Sequence, residues 1–280
     1  MIIDIADNMN IFQSIVLGLV QGLTEFLPVS SSGHLVLAER ILGLAPGNLR
    51  FEVAMHLATL LAVFAVFGRR ILKLIRAVLL GRMKLVDGRW RFSDDNLRLA
   101  LLLILATVPA ATAGLLLDDL IERAFANPLV VSLALLATGG ILFGTGRVAR
   151  GHGALNWRKS LLIGLAQALA IFPGISRSGS TIAAGIYAGV DQEKAAEFSF
   201  LLSIPVILGA GLLEYRKVSL QELPSGELAS ILAGGLAAAV SGFLAIKILL
   251  KLVKRSKLQY FAYYCWAAGL ASLIWLWWVA

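Results

Sequence analysis

QGLTEFLPVSSSGH, residues 21–34, is the stretch whose reading decides the fold. It lies in the middle of an apolar run, 11–44, and interrupts it with Pro28, three consecutive serines and Gly33. Proline and clustered Ser/Gly break a helix, and backbone groups freed at membrane depth cannot face lipid. Such a break persists only when it is packed in protein or lines a wet cavity, so 11–44 reads as a re-entrant helix–loop–helix hairpin. A second apolar run, 161–190, is interrupted by FPGISRSGS at 172–180 and reads the same way.

Around these two hairpins the composition is that of a membrane protein. Of the 280 residues 59% are apolar and only 15% charged, with a mean hydropathy of +0.83. A soluble domain carries about 25% charged residues, and a disordered chain carries more charge and less apolar content. Both classes are excluded, and an all-α polytopic membrane protein remains. Runs at 51–68, 97–117, 128–146, 198–213, 228–250 and 260–279 each approach the length needed to cross as helices. Pro109 and Pro205 predict kinks within two of them. The first ten residues hold two aspartates and no Lys or Arg, unlike a cleaved signal peptide, so the mature chain is expected to start there.

The net charge of +8 does not point to nucleic acid, because the basic residues punctuate apolar runs. Segments 69–98, 147–159 and 247–257 hold 18 of the 25 basic residues and are expected to face the cytoplasm. The longest, 69–98, also reads as a contact for anionic lipid. Segments 118–127 and 214–227 lean acidic and are expected outside. Tyr260, Tyr263, Tyr264 and Trp266 at one end of the last span, and Trp275, Trp277 and Trp278 at the other, suit two interfacial belts. Cys265 is the single cysteine, which excludes an intramolecular disulfide and a thiolate metal site.

This topology makes the first hairpin enter from outside and the second from the cytoplasm. The sequence carries the same message independently. Shifted by 146 positions, Gly18, Leu19, Gln21, Leu23, Phe26, Ser30, Ser32 and Gly33 fall without gaps on Gly164, Leu165, Gln167, Leu169, Phe172, Ser176, Ser178 and Gly179. The expectation is one membrane domain over 1–280 built from two inverted repeats. Repeat one covers about 11–146 and repeat two about 161–279, each a hairpin followed by three spans. Such folds place a polar site where the repeats meet.

Glu25, His34 and Arg177 are ionisable groups in the two segments predicted to meet, where burial is costly and function is the default reading. Each also has an ordinary structural reading: a Glu25–Arg177 bridge, a His34 bond to a backbone carbonyl, serines as helix N-caps. Together they form a more specific inventory. A Ser/Gly turn opening a half-helix, with Arg177 beside it, suits phosphate oxygens. Glu25 and Gln21, spaced i, i+4, offer oxygen ligands to a hard cation on one helix face. A hydroxyl at Ser30 or Ser31 lies near His34, a proton carrier, which gives the parts of a phosphoryl-transfer site. His56, in the middle of a span, reads either as support for that site or as a helix–helix hydrogen bond. His152 reads as solvated.

These two motifs resemble the signatures of the undecaprenyl-diphosphatases, also called bacitracin-resistance proteins. QGLTEFLPVSSSGHL and PGISRSGST carry the resemblance, FEVAMHLATLLAV resembles a third recurrent block, and the likeness runs the length of the chain. It implies hydrolysis of the C55 isoprenyl diphosphate to the monophosphate, with Mg²⁺ or Ca²⁺, at the outer face of a bacterial inner membrane. That reaction recycles the lipid carrier for cell-wall synthesis and confers bacitracin resistance. By motif position the resemblance implies Glu25 and Gln21 at the metal, with Gln21 standing where some relatives have Glu. It puts Ser30, Ser31 and His34 in the reactive turn with Ser32 and Gly33, and Ser176, Arg177, Ser178 and Thr181 in a phosphate-binding loop. The implied partners are the lipid substrate and membrane lipids. Gly234, Gly235 and Gly242 permit close helix packing within the chain or between two copies, which leaves a homodimer open. The competing class is a carrier of the lipid phosphate or a small anion, since inverted repeats with broken helices are common among transporters.

Overall fold

A computed structural model describes residues 9–44, 49–80, 83–86, 89–92, 94–217 and 227–279. Residues 1–8, with the N-terminal aspartates, lie outside the described residues, as do Arg82 of the basic segment and Glu222 of the acidic one. Except for one short β-hairpin, the described regular structure is helical.

The first broken stretch forms α1 (Ile11–Phe26) and α2 (Ser31–Ile41), and the second forms α7 (Trp157–Leu169) and α8 (Arg177–Tyr187). Between them come α3 (Leu49–Leu80), α4 (Asp95–Leu116), α5 (Asp118–Phe125) and α6 (Pro128–Thr145). After them come α9 (Gln192–Lys217), α10 (Glu227–Lys254) and α11 (Tyr260–Val279). Five of these, α3, α4, α6, α9 and α10, are long and apolar enough to cross a membrane. This is a multi-pass helical membrane protein. Helix α11 has the length of a span and is not among the five.

The two broken stretches correspond under the 146-residue shift. Helices α2 and α8 begin and end at equivalent positions. Helices α1 and α7 both start after an asparagine cap: Asn10 accepts from the Gln13 amide and Asn156 from the Lys159 amide. Gly43 and Gly189, just past α2 and α8, both take left-handed φ, 68° and 70°. That conformation ends a helix at no steric cost only for glycine.

The packing repeats the correspondence with the partners exchanged. Helix α1 packs on α10, and its counterpart α7 packs on α4, the counterpart of α10; the two third spans, α6 and α11, pack on each other. At the first contact a methyl group on Gly18 would overlap the Gly234 backbone, and at the second a methyl on Gly164 would overlap the Ala106 backbone. Small residues that let backbones approach are how helices gain dispersion energy when lipid is as apolar as their own side chains. Gly234, Gly235 and Gly242 all face neighbours in the same chain, Ser14 and Phe51, Ala58 and Met55, and Phe26 and Ala62 respectively. Behind the hairpins a core cluster contains Phe26, Ile182, Phe200 and Leu249, with the Phe26 and Phe200 rings edge to face at 5.8 Å.

Three elements differ from expectation. The span predicted at 51–68 continues through the basic residues to Leu80, because Leu74 and Ala77 remain buried on the inner face while Arg69, Lys73 and Arg76 face outward. Within 69–98, Met83–Val86 (β1) and Arg89–Phe92 (β2) pair antiparallel, Lys84 opposite Arg91. The acidic segment 118–127 contains α5, whose first turn carries Asp118 and Asp119, where acids favour a helix N-terminus. Pro109 and Pro205 lie inside α4 and α9.

Candidate active site

The two breaks touch. A methyl on Gly33 would lie 3.2 Å from the Gly174 Cα, and one on Gly179 would lie 3.2 Å from the Pro28 Cβ. The Ser178 hydroxyl donates to the Leu27 carbonyl at 3.1 Å, and the Ser176 amide donates to Thr138 Oγ1 on α6 at 3.0 Å. Ser30 and Ser176, equivalent residues, cap the second half-helices by accepting from the Gly33 and Gly179 amides. Ser30 alone of the pair takes a positive φ, 71°, whereas Ser176 sits at −72°. A non-glycine residue in that region is strained, and strain of this kind concentrates at functional sites.

A cavity of about 290 Å³ opens beside the junction. Glu25, in the last turn of α1, lines it and is buried at 7% exposure. One carboxylate oxygen, Oε2, accepts from Ser31 Oγ at 2.7 Å and from Gln21 Nε2 at 3.1 Å. The other, Oε1, forms an ion pair with Arg177 Nη2. Arg177 Nη1 also donates to the Ser199 carbonyl at 3.4 Å, which holds the guanidinium across from Ser31. His56 Nε2 approaches Glu25 Oε2 at 3.7 Å, while its Nδ1 faces the Glu52 carbonyl at 2.9 Å. Once the serine caps are made, the amides of Ser31 and Ser32 and those of Arg177 and Ser178 are left as first-turn donors of α2 and α8. Two positive helix ends therefore converge on one carboxylate, one hydroxyl and one guanidinium, an arrangement that can bind phosphate and activate an oxygen nucleophile.

Of the residues singled out from sequence, Glu25, Ser30, Ser31, Ser32, Ser176 and Arg177 line the cavity. The others stand behind it. Gln21 is fully buried and steadies Glu25; Thr181 bonds Ser199 Oγ and the Arg177 carbonyl; Ser178 and Gly33 join the tips. His34 faces away: its Nδ1 meets the Ser30 carbonyl and its Nε2 the Tyr264 hydroxyl, both at 2.8 Å, with the two rings stacked at 5.6 Å. The histidine at the cavity is His56. Glu52, Gln167 and Phe125 also line it, and none of the three stood out as a site residue in the sequence. The signal for Gln167 was present, since it is the repeat equivalent of Gln21.

A hard cation needs oxygen donors. Glu25 and Glu52 supply carboxylates at the cavity, and Gln21 Oε1 is buried without a hydrogen-bond partner. Among the described residues no three His, Cys, Asp or Glu side chains gather as a cage. The donor set fits a magnesium-like ion held by one or two carboxylates, with phosphate oxygens and water completing its shell.

Comparison with known proteins places this geometry in context. The family described as Bacitracin resistance protein BacA matches residues 14–271. An undecaprenyl-diphosphatase of Methanobrevibacter smithii is 44% identical over 269 residues, 94% of this chain and 96% of the relative. One of Methanosphaera stadtmanae is 40% identical over 274 residues, covering 95% and 98%. One of Geobacter sulfurreducens is 42% identical over 276 residues, covering 96% and 99%.

Proposed function

The chain belongs to the bacitracin resistance protein BacA family, and from that premise we propose how its cavity works. It hydrolyses undecaprenyl diphosphate to undecaprenyl phosphate and inorganic phosphate. The observation that carries the residue assignment is the Ser31 hydroxyl, which donates to Glu25 across from Arg177 at the junction of the two breaks.

Ser31 Oγ is the nucleophile. As it attacks the terminal phosphorus its proton passes to Glu25 Oε2, the bond to the bridging oxygen breaks, and undecaprenyl phosphate leaves carrying that proton from Glu25. Water then attacks the phosphoserine, giving its proton to the freed Glu25 carboxylate, which returns it to Ser31 Oγ as the P–O bond to serine breaks and inorganic phosphate is released. Arg177 and the first-turn amides of α2 and α8 hold the equatorial oxygens, where charge develops. Ser30, Ser32, Ser176, Ser178, Thr181 and Gly33 shape that cradle. His34 fixes the reactive turn through the Ser30 carbonyl. Glu25, with Gln21 Oε1 buried behind it, would hold a Mg²⁺ or Ca²⁺ ion, which would supply Lewis-acid neutralisation of the diphosphate.

The same proposal covers the architecture. The α1–α2 and α7–α8 pairs are re-entrant hairpins inserted from opposite sides, α11 is a sixth span, and the halves are inverted repeats within one domain. The exchanged packing of α1 on α10 and α7 on α4 supports this. The cavity opens to the outer face of a bacterial inner membrane. What supports that side is its lining by the start of α3, the end of α9 and Phe125 of the acidic segment, each placed outside by the distribution of Lys and Arg.

Purified protein in detergent tests the reading. Phosphate release from undecaprenyl diphosphate, abolished by EDTA and restored by Mg²⁺, is expected. No release with any divalent ion would leave the carrier class, which the exchanged repeats also suit.

A further inference from the structure

Gln167 lines the cavity from the last turn of α7, is 1% exposed, and has neither amide atom hydrogen-bonded. An amide buried in this way destabilises a fold, and a position serving packing alone would carry Leu or Met. The reason it lacks a partner lies in the repeat. Gln21, its equivalent on α1, spends its Nε2 on Glu25 one turn later. The residue one turn after Gln167 is Ile171, the equivalent of Glu25, which lines the same cavity and accepts nothing. The two halves thus present one glutamine already committed to the carboxylate and one uncommitted, both beside the same junction.

We infer that Gln167 is a substrate-binding residue whose Nε2 donates to an oxygen of the lipid diphosphate, with Oε1 accepting from a water that accompanies it. Its atoms are shut off from bulk solvent, so a group that satisfies them arrives through the cavity. The division of labour is chemical: the first repeat supplies nucleophile and base, and the second supplies only donors, Arg177, Gln167 and the α8 amides, to the anion. This assignment rests on the diphosphatase reading of the cavity.

The test replaces Gln167 with Met, which keeps the length and removes both polar atoms, and with Glu, which keeps the shape and adds a charge. Phosphate release from undecaprenyl diphosphate in detergent gives kcat and KM, and thermal unfolding gives Tm. A hydrogen bond to a charged group corresponds to about 10- to 100-fold in affinity. Gln167→Met is expected to lower kcat/KM by that factor, chiefly through KM, while Tm holds or rises because an unsatisfied amide has gone. Gln167→Glu is expected to lose more, by repulsion of the diphosphate. Wild-type kcat/KM in Gln167→Met, or a loss of activity that only follows a fall in Tm in both variants, overturns the assignment. A wild-type protein that releases no phosphate overturns the diphosphatase reading instead, so the two failures are distinguishable.

Discussion

Replacing Arg177 with Ala probes both the chemistry and the packing of the junction. Its Nη2 pairs with Glu25 Oε1, and the two side chains are 14% and 6% exposed. Loss of one preorganised donor to a developing anion costs about 2.7–4 kcal/mol, or about 10²–10³ in turnover. Truncation also leaves Glu25 buried without its guanidinium, with His56 3.7 Å away as the nearest cationic candidate, and such a loss destabilises by about 3–5 kcal/mol. The two effects separate in a second variant. Arg177→Met with Glu25→Gln removes both charges, so Tm should recover most of what Arg177→Ala loses while turnover stays at the floor. Initial rates of phosphate release and thermal unfolding in the same detergent supply both numbers. An Arg177→Ala protein that turns over within about threefold of wild type would refute the phosphate-clamp argument, given the factor expected. Recovery of turnover in the double variant would refute the role of Glu25.

Ser31→Ala should abolish phosphate release. Ser30→Gly should raise stability by about 1 kcal/mol, because glycine relieves a positive φ and replaces a serine cap at a cost of only a few tenths; a fall in Tm contradicts the strain reading. Gly18→Leu and Gly164→Leu should each prevent folding, since both side chains would enter a neighbouring backbone. Recovery of either as a stable monodisperse protein rules out the close approach. His152→Cys, in the exposed segment between α6 and α7, should react with an impermeant maleimide only from the cytoplasmic side, the native Cys265 being buried; labelling of intact cells from outside reverses the topology.

The broken hairpins, their 146-residue correspondence and the pairing of Glu25 with Arg177 are legible in sequence because membrane burial makes polar residues rare and their positions informative. Proline beside Ser/Gly clusters has one cheap explanation at that depth. The histidines were less legible. His34 sits four residues after Ser30 on α2, and the helix turns its ring back onto the Ser30 carbonyl and outward to Tyr264, a contact 230 residues away in sequence. His56 reaches the cavity because α3 packs beside α1, and that tertiary proximity has no local signal. The same holds for Gln167: the shift aligned it with Gln21, but only the packed structure reveals an amide with no partner. Helix α5 and the length of α3 were missed for another reason. Charge marks where a chain leaves the bilayer, not where a helix ends, and Leu74 and Ala77 carry α3 onward through its arginines.

The meeting of the two breaks is open to one direct measurement. Pro28→Cys and Gly179→Cys, introduced together in a Cys265→Ala background, place two Cβ atoms at a separation of about 3.2 Å, close to that of a disulfide. Mild oxidation in native membranes should yield an intramolecular disulfide, read as a reducible change in mobility of the monomer. Failure to cross-link, or cross-linking only between two copies of the chain, would contradict a catalytic cavity assembled from both halves of one molecule.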